Sequence, residues 1–375
     1  MFFLFRMVPL LVILPGAVYF FIHFKNLSFV TRFTRYKWMP WIISTFMTLI
    51  CGYMVSDVFN FPAAIILFLF FSFIITDILN LIFKKLLKGH NGFKFWTWLY
   101  HSGIAAVSGV IIFCVIGYST AMHVVVSKYD LTTNKNIGKP GIKIIMVSDI
   151  HLGTAVKVDN LQEYCTRIQA QDPDMVVLTG DIFDENTPKG TMEEACKKLG
   201  QIKSTYGTYY IFGNHEKGIH GNIPYFTTDA VAANLKANNI TVLDDNTKLI
   251  NNQFYIIGRK DAALTHTADR KSIPELLNGL DKSKFILLLD HQPLDFQLAA
   301  QNGVDLQLSG HTHGGQIWPT GLLMSIFTSG SLNYGYERIG NYQVIVSSGM
   351  GTWNYPMRLG SKSEIVQIMV RGQTP

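Results

Sequence analysis

Residues 142–151 read IKIIMVSDIH, and this stretch decides the fold. Its first six positions are almost all large and apolar, which predicts a buried β-strand over Ile142–Val147. Two side chains that bind metals, Asp149 and His151, follow this strand at once. Functional groups in open α/β sheets commonly lie just past the carboxyl ends of the strands. The stretch therefore predicts a sheet edge that carries a metal site.

Four further predicted strands end in the same kinds of side chain. These strands are Met175–Leu178, Thr208–Phe212, Phe285–Leu289 and Leu306–Leu308. They are followed in turn by Gly180-Asp181, Gly213-Asn214-His215-Glu216, Asp290-His291 and Gly310-His311-Thr312-His313. A glycine before Asp181, Asn214 and His311 suits tight turns that direct each side chain to a common point. A single Asp-x-His is most often a loop or a cap, but five such strand ends in order indicate one site.

The chemistry of these side chains favours a site with two metal ions. Carboxylate oxygens, an amide oxygen and neutral imidazoles suit Mn²⁺, Fe or Zn²⁺, and no thiolate is offered that would favour a structural zinc. One ion cannot use all of the candidate ligands, whereas two ions about 3.5–4 Å apart that share a carboxylate can. The candidates are Asp149, His151, Asp181, Asn214, His291, His311 and His313.

In order and spacing, these motifs resemble the calcineurin-like metallophosphoesterases over residues from about 142 to 370. The later Gly314-Gly315-Gln316 and Pro356-Met357-Arg358 resemble the bacterial, membrane-attached phosphodiesterase-type branch of that superfamily. The resemblance implies that one metal binds to Asp149, His151 and His313, and that Asp181 bridges. It also implies that the second metal binds to Asn214, His291 and His311.

The resemblance further implies a mechanism and a cofactor. A hydroxide that bridges two divalent ions, most simply manganese with Fe or Zn as alternatives, attacks phosphorus. His215 contacts the phosphate and protonates the leaving oxygen as a general acid, with the acidic Glu216 following it. Asp181 supports catalysis as the bridge, and Asn214 also faces the substrate. For Arg358 two interpretations stay open, since it binds an anionic headgroup or is an exposed structural residue.

The chain after about Gly141 alternates strands and helices, which predicts a layered α/β domain over residues 141–375. The resemblance makes this a layered β-sandwich with flanking helices. Cys165 and Cys196 are able to pair if the domain lies in an oxidising compartment, and their separation in sequence does not decide this. The remaining predicted strands are Phe254–Ile257, Val344–Val346 and Ile365–Val370, and the predicted helices are Val158–Ala170, Thr191–Ile202, Thr228–Ala237 and Ile273–Leu280.

The first third of the chain has a different composition. Apolar and aromatic residues make up 48% of the whole chain and charged residues only 15%, which excludes disorder. Residues 1–126 hold only two acids, Asp57 and Asp77, so the net charge of +6 belongs to this part and does not indicate nucleic-acid binding. Four apolar runs predict a four-helix transmembrane region, at about Met7–His23, Trp38–Phe59, Pro62–Phe83 and Trp96–Val126. A buried soluble helix, or a signal peptide for the first run, is the alternative.

The loops between these runs predict an orientation. Basic residues fill the first and third loops, at Lys25–Lys37 and Lys84–Lys94, and none lies in the second. The positive-inside rule then places the catalytic domain on the extracytoplasmic side of a bacterial inner membrane. Residues 127–140 are polar and are expected to form a linker. Asp77 lies close to a helix end, where a local pair is the commoner explanation, and it is given no role.

The sequence says less about the substrate. Residues 317–327 are apolar and form either an ordinary buried element or an exposed lip beside the metals that touches the bilayer. The second case favours a phospholipid or another lipid-linked phosphoester. A phosphatase for soluble phosphomonoesters or nucleotides is the alternative enzyme, and a metal-bound sensor without turnover is the alternative of another class. The choice between monoester and diester, and the oligomeric state, stay open.

Overall fold

The computed structural model describes residues 15–32, 36–55, 60–138, 140–218, 224–262, 270–327 and 332–372. The chain forms two compact units, Met1–Ile116 and Gly117–Pro375. Residues 7–14 and 56–59, which belong to two of the predicted membrane runs, lie outside the described residues.

The first unit is helical. Its elements are α1 at residues 15–26, α2 (Ser28–Thr31), α3 (Met39–Met54), α4 (Phe61–Leu86), α5 (Asn91–Ser102) and the start of α6 (Ile104–Met122). Among the described residues, two helices are long and apolar enough to cross a membrane, α4 and α6, while the apolar α3 is shorter. The structure thus offers two candidate spans where the sequence predicted four.

The predicted span Trp96–Val126 is wrong as a single helix. Helix α5 ends at Gly103, whose φ of 79° lies in the left-handed region that glycine adopts readily at a helix end. Helix α6 then begins at Ile104 and ends at Met122. The sequence stays apolar on both sides of Gly103, so the hydropathy pattern does not reveal the break between the two helices.

Asp77 of α4 forms a polar cluster within the first unit. The hydroxyls of Tyr19 and Tyr100 each donate to its carboxylate at 2.6 Å, and His23 Nε2 lies 3.0 Å away. The sequence led us to expect a single local pair for Asp77. The structure instead shows three contacts, which join α1, α4 and α5.

The second unit contains two mixed six-stranded sheets. The first sheet has the order β1-β12-β2-β3-β4-β5 and the second the order β10-β11-β9-β8-β7-β6. The first is built from β1 (Val124–Thr133), β2 (Ile142–Val147), β3 (Met175–Thr179), β4 (Thr208–Ile211), β5 (Ile240–Val242) and β12 (Ser363–Gly372). The second is built from β6 (Asn246–Ile250), β7 (Phe254–Gly258), β8 (Phe285–Leu289), β9 (Leu306–Ser309), β10 (Gly335–Ile339) and β11 (Tyr342–Val346).

The sheets pack face to face and carry helices on their outer faces. Ile144 of β2, Val177 of β3 and Leu287 of β8 belong to one buried cluster between the sheets. A second cluster joins the first sheet to helices α7 (Val158–Gln169), α8 (Lys189–Leu199) and α9 (Thr228–Ala237), and a third joins the other sheet to α10 (Ile273–Leu276) and α11 (Phe296–Asn302). The predicted layered α/β architecture with flanking helices is confirmed.

The predicted linker over residues 127–140 is wrong as far as Thr133. This segment belongs to β1, which runs parallel to β12 from the pair Val124 and Ser363 to the pair Thr133 and Gly372. Strand β1 is an edge strand that buries Val124 and Leu131 and exposes Lys128 and Asp130. An edge strand with one solvent-exposed face alternates polar and apolar residues. Its polar residues give it a composition similar to that of a linker.

The two cysteines of the second unit are free thiols. Cys165 of α7 and Cys196 of α8 are both buried in the same apolar cluster, and no disulfide joins them. Burial raises the pKa of the Cys165 thiol to about 11, so it acts as a small apolar side chain.

The apolar stretch after His313 is exposed. Helix α12 (Thr320–Phe327) was not predicted as a separate element, and neither were α11, β5, β6 and β10. Trp318, Leu322 and Ile326 are exposed by 51%, 54% and 61%. Of the two interpretations of residues 317–327, the structure agrees with the exposed lip.

Candidate metal centre

The structure brings the candidate ligands together at one edge of the two sheets. They lie just after β2, β3, β4, β8 and β9, and Asp149, His151 and His313 form one group whose ligand atoms lie within 4.8 Å of one another. A second group with the same spacing consists of Asp181, His291 and His311.

Asp181, a member of the second group, also approaches the first. Its Oδ2 is 3.0 Å from His291 Nε2 and 4.0 Å from His151 Nε2. On the far side of His151, the Nε2 atoms of His151 and His313 are 3.0 Å apart, and His313 Nε2 is 3.6 Å from Asp149 Oδ1. Nitrogen and oxygen atoms of the two groups therefore lie next to one another, and the Asp181 carboxylate approaches a histidine of each group.

The donor set fits divalent metal ions. Asn214 Oδ1 is buried and has no hydrogen-bond partner within the described part of the chain. An unsatisfied buried acceptor costs about 1–3 kcal/mol, so this oxygen is poised for a ligand. Burial lowers the pKa of His311 to about 3 and that of His313 well below its usual range, which keeps both imidazoles in the neutral form that binds metals. Burial opposes the charge of Asp181, but the His291 imidazole holds its pKa well below the usual range.

The backbone of the ligand loops is unusual. Five of the candidate ligands have φ between 45° and 72°, in the left-handed region: Asp149, His151, Asp181, His311 and His313. Asp and His enter this region more easily than most residues other than glycine, yet it still costs free energy relative to an ordinary turn. The surrounding loops must therefore hold these residues in place.

The glycines before the ligands act in two ways. Gly180 has a φ of 88° and meets the predicted need for a tight turn. Gly213 has no positive φ, but a Cβ built on it would lie 2.2 Å from Asp181 Oδ1. At Gly213 glycine is therefore needed for the close approach of the two loops rather than for a left-handed φ.

Glu216 binds these loops together. Its carboxylate accepts the backbone N–H groups of Asp181, Ile182, Phe183 and Gly213 at 2.6–3.1 Å and the Tyr210 hydroxyl at 2.8 Å. The side chain is fully buried. Glu216 is thus a structural residue that fixes the backbone of Asp181 against the loop of Asn214.

The change Glu216→Gln is expected to lower the free energy of unfolding by about 2–3 kcal/mol, because an amide N–H₂ then faces backbone N–H donors. Denaturant unfolding of the full chain in detergent measures this. The matched control is Glu163→Gln, at an exposed position of α7, where a change within about 0.5 kcal/mol is expected. Equal stability of the two variants would contradict the role of Glu216.

Two acids that the sequence analysis did not single out orient the histidines. His215 Nδ1 lies 2.9 Å from Glu185 Oε2, and His151 Nδ1 lies 2.7 Å from Asp184 Oδ1. Burial disfavours the charged form of His215, but Glu185 and the neighbouring carboxylates prevail and raise its pKa to about 9. The sequence does carry a signal for these two acids, since the acidic pair Asp184-Glu185 begins three residues after Asp181 in the same loop.

Arg358 is not exposed, so the interpretation as an exposed structural residue is wrong about its exposure, and the binding of an anionic headgroup stays a prediction. It is fully buried, and its Nη1 donates to the His313 carbonyl and to Ser361 Oγ, each at 2.9 Å. Burial lowers its pKa to about 10. Through these bonds and one from Nη2 to the Gly351 carbonyl, Arg358 fixes the loop of His313, while its buried Nε has no hydrogen-bond partner within the described part of the chain.

A polar cleft opens beside His215. Its volume is about 600 Å³, and its lining includes Lys157, Asn186, Trp353 and Asn354. The ring of Trp353 lies 5.8 Å from that of His215. A substrate group in this cleft would lie next to the His215 imidazole.

The change Asn214→Ala is expected to reduce the bound metal from two ions toward one, because it removes the unpartnered oxygen that is expected to bind the second metal only. Elemental analysis of the purified full chain after dialysis measures the ratio. Asn302→Ala on α11, where the amide donates to the Leu298 carbonyl, is the control and should retain the full content. An unchanged metal content in Asn214→Ala would exclude it as a ligand.

Comparisons with known proteins agree with this geometry. A family described as "Calcineurin-like phosphoesterase" matches residues 142–315. An uncharacterized metallophosphoesterase of Campylobacter jejuni is 34% identical over 63% of this chain and 60% of its own length. A metallophosphoesterase of Aquifex aeolicus is 31% identical over 66% of this chain and 92% of its own length. A Bos taurus relative named "Transmembrane protein with metallophosphoesterase domain" is 31% identical over 61% and 53%. The match spans only about 60% of the Campylobacter relative, but it covers nearly all of the Aquifex one, and the chain belongs to the calcineurin-like metallophosphoesterase family.

Proposed function

We propose that the chain is a membrane-attached phosphoesterase that uses two divalent metal ions, most simply manganese, to hydrolyse a lipid phosphoester. The observation that carries the proposal is the pair of adjacent ligand groups, with Asp181 of the second group 4.0 Å from His151 of the first and His215 beside them at a polar cleft. Such pairs suit phosphoester hydrolysis, because two adjacent ions stabilise both the attacking and the leaving oxygen.

The chain's own residues prepare this chemistry. Asp149, His151 and His313 would hold one ion, and Asn214, His291 and His311 the other, with Asp181 shared. Two divalent ions, when bound, neutralise the phosphoryl oxygens and activate a water molecule. His291 Nδ1 faces the Thr179 carbonyl at 2.8 Å and His151 Nδ1 faces Asp184, so in each ring Nε2 is left for a metal.

His215 acts as the general acid in this proposal. Its Nδ1 faces Glu185, so Nε2 carries the proton for the leaving oxygen. Its backbone N–H donates to Asp181 Oδ1 at 2.9 Å, which ties its position to the shared ligand. A sensor without turnover would have no use for a histidine that is oriented and kept protonated in this way.

Attachment to a membrane is supported by α4 and α6 and by the relatives named as transmembrane proteins. We extend the proposal to four spans by including α1 and α3, and to a catalytic unit outside the cytoplasm of a bacterial cell. The extension is supported by the uneven distribution of Lys and Arg among the loops. Basic residues follow α1 and α4, and none lies between α3 and α4.

A lipid substrate is supported by the exposed apolar residues after His313. The polar cleft at His215 favours a second candidate, a soluble phosphomonoester or nucleotide that needs no membrane. The two candidates differ in where the substrate comes from and share the metal chemistry.

The test is Mn²⁺-dependent hydrolysis by the full chain in detergent. A phosphodiester and a phosphomonoester with the same chromogenic leaving group are compared, and Asp181→Ala is the blank. Activity that Asp181→Ala lacks is the expected result, and the ratio of rates then directs a panel of lipid diesters or monoesters. Failure to hydrolyse both, with two metals bound, would overturn the proposal in favour of the sensor.

A further inference from the structure

An exposed apolar surface follows the last candidate ligand. It consists of Trp318, Leu322, Leu323 and Ile326, which are exposed by 51%, 54%, 42% and 61%, and we name it the apolar lip. Leu322 and Ile326 are four residues apart in α12 and share one side of the helix. No charged residue occurs in Thr320–Phe327. Contiguous exposed apolar side chains mark a surface that contacts a partner or a membrane.

The lip is built onto the loop of His313. A Cβ on Gly315 would lie 2.0 Å from the backbone nitrogen of Gly321, so the start of α12 rests directly on the ligand loop. A cavity of about 220 Å³ lies between this loop and the lip, and its lining includes Gly314, Trp318 and Leu322. Whatever contacts the lip therefore lies beside the loop that carries His313.

The lip is also tied to the end of α6, whose residues from Gly117 on belong to the second unit. The Arg358 backbone N–H donates to the Gly117 carbonyl at 2.9 Å, and the Trp318 N–H donates to the carbonyl of the next residue, Leu359. A connection of two hydrogen bonds and two residues limits the distance from the Gly117 carbonyl oxygen to the Trp318 backbone nitrogen to about 12 Å. The Ser363 hydroxyl, which donates to the Ala121 carbonyl at 2.9 Å, fixes the same helix end a second time.

We propose that the apolar lip docks on the lipid bilayer that α6 enters. The inference rests on the membrane attachment proposed above and adds the surface by which the metal centre meets lipid. Helix α6 is apolar enough to cross a membrane, so its end marks the depth of the bilayer surface in this unit. The lip lies beside that end, is uncharged and carries a Trp, a residue that favours the membrane interface. A docked lip presents lipid phosphates to the adjoining ligand groups.

The experiment places an environment-sensitive fluorophore on the lip. Leu322→Cys and Ile326→Cys are labelled with NBD in a full chain whose four native cysteines are replaced by alanine, and the protein is reconstituted into phosphatidylglycerol and phosphatidylcholine nanodiscs. Lys236→Cys, at an exposed position of α9, is the matched aqueous control. Quenching by doxyl-labelled lipid at two depths is then measured.

We expect at least about twofold quenching at both lip positions and none at Lys236→Cys, since interfacial helices enter the bilayer by about 5–10 Å. Lip probes that behave like the Lys236→Cys probe would overturn the proposal. A blue-shifted emission that lipid does not quench would also overturn it, since another protein or a second copy would then cover the lip.

A second measurement avoids the replacement of cysteines. Brominated lipid should quench part of the native tryptophan fluorescence, and Trp318→Phe should lose a quenched component. Equal quenching in both proteins would count against the proposal. Neither measurement needs turnover, so absence of hydrolysis and absence of docking are separate results. Failure of the chain to enter nanodiscs at all would instead overturn the membrane attachment.

Discussion

Replacing Asp181 by alanine should remove both metal ions and lower the rate of hydrolysis by at least about 10³-fold, since several kcal/mol of charge stabilisation is lost with the ions. The physical reason is the position of this carboxylate between the two ligand groups, at 3.0 Å from His291 Nε2 and 4.0 Å from His151 Nε2. Elemental analysis and the chromogenic assay measure the two effects on the same preparation.

The control for Asp181→Ala is Asp229→Ala, at an exposed position in the first turn of α9. It should retain both metals and full activity. If Asp181→Ala itself keeps two ions per chain, the carboxylate does not bridge, and the assignment of a shared ligand fails.

Replacing His215 by alanine should leave the metal content nearly intact and lower kcat by about 10²–10⁴-fold. The imidazole faces Glu185 and the polar cleft, and its loss removes the proton donor without removing a proposed ligand. The loss should be greatest for substrates with poor leaving groups, which need protonation most. Rates for a series of aryl phosphoesters give this dependence, and His123→Ala, at an exposed position before β1, is the control.

The dependence of the rate on pH is a second test of His215 as the general acid. An acid acts only while protonated, so the rate should fall as pH rises through the pKa of His215. Glu185 and the neighbouring carboxylates raise that pKa to about 9, and bound cations lower it, which places the fall below pH 9. His215→Ala should lack this fall. Loss of both metals in this variant would show that His215 is a ligand instead.

The parts of the fold that could be predicted are those buried on both faces. Strands Ile142–Val147 and Phe285–Leu289 have the predicted bounds, because central strands that are buried on both faces read as continuous apolar runs that end in polar turns. The convergence of the strand ends follows from that parallel order. This is why residues as distant as Asp149 and His313 could be placed in one site from sequence.

The parts that could not be predicted depend on contacts between distant residues. Nothing near Glu216 indicates that its carboxylate accepts backbone donors from the loop of Asp181, and nothing near Arg358 indicates that it is buried under His313. Strand β1 was missed because the partner that gives it order, β12, lies over 200 residues away. Long-range pairing overrides local composition in each case.

The left-handed backbone at the ligands constrains which residues can stand there. Asp149, His151, Asp181, His311 and His313 are all of the short polar types that tolerate positive φ, and these types are also good ligands for hard and intermediate metals. The same few amino acids therefore meet both requirements, tolerance of a positive φ and the ability to bind a metal. Glutamate or cysteine at one of these five positions would be disfavoured mainly by the positive φ of the backbone, and less by its ability to coordinate a metal. Substitutions that change metal preference are therefore more accessible at Asn214 and His291, whose φ is not positive, than at the other five positions.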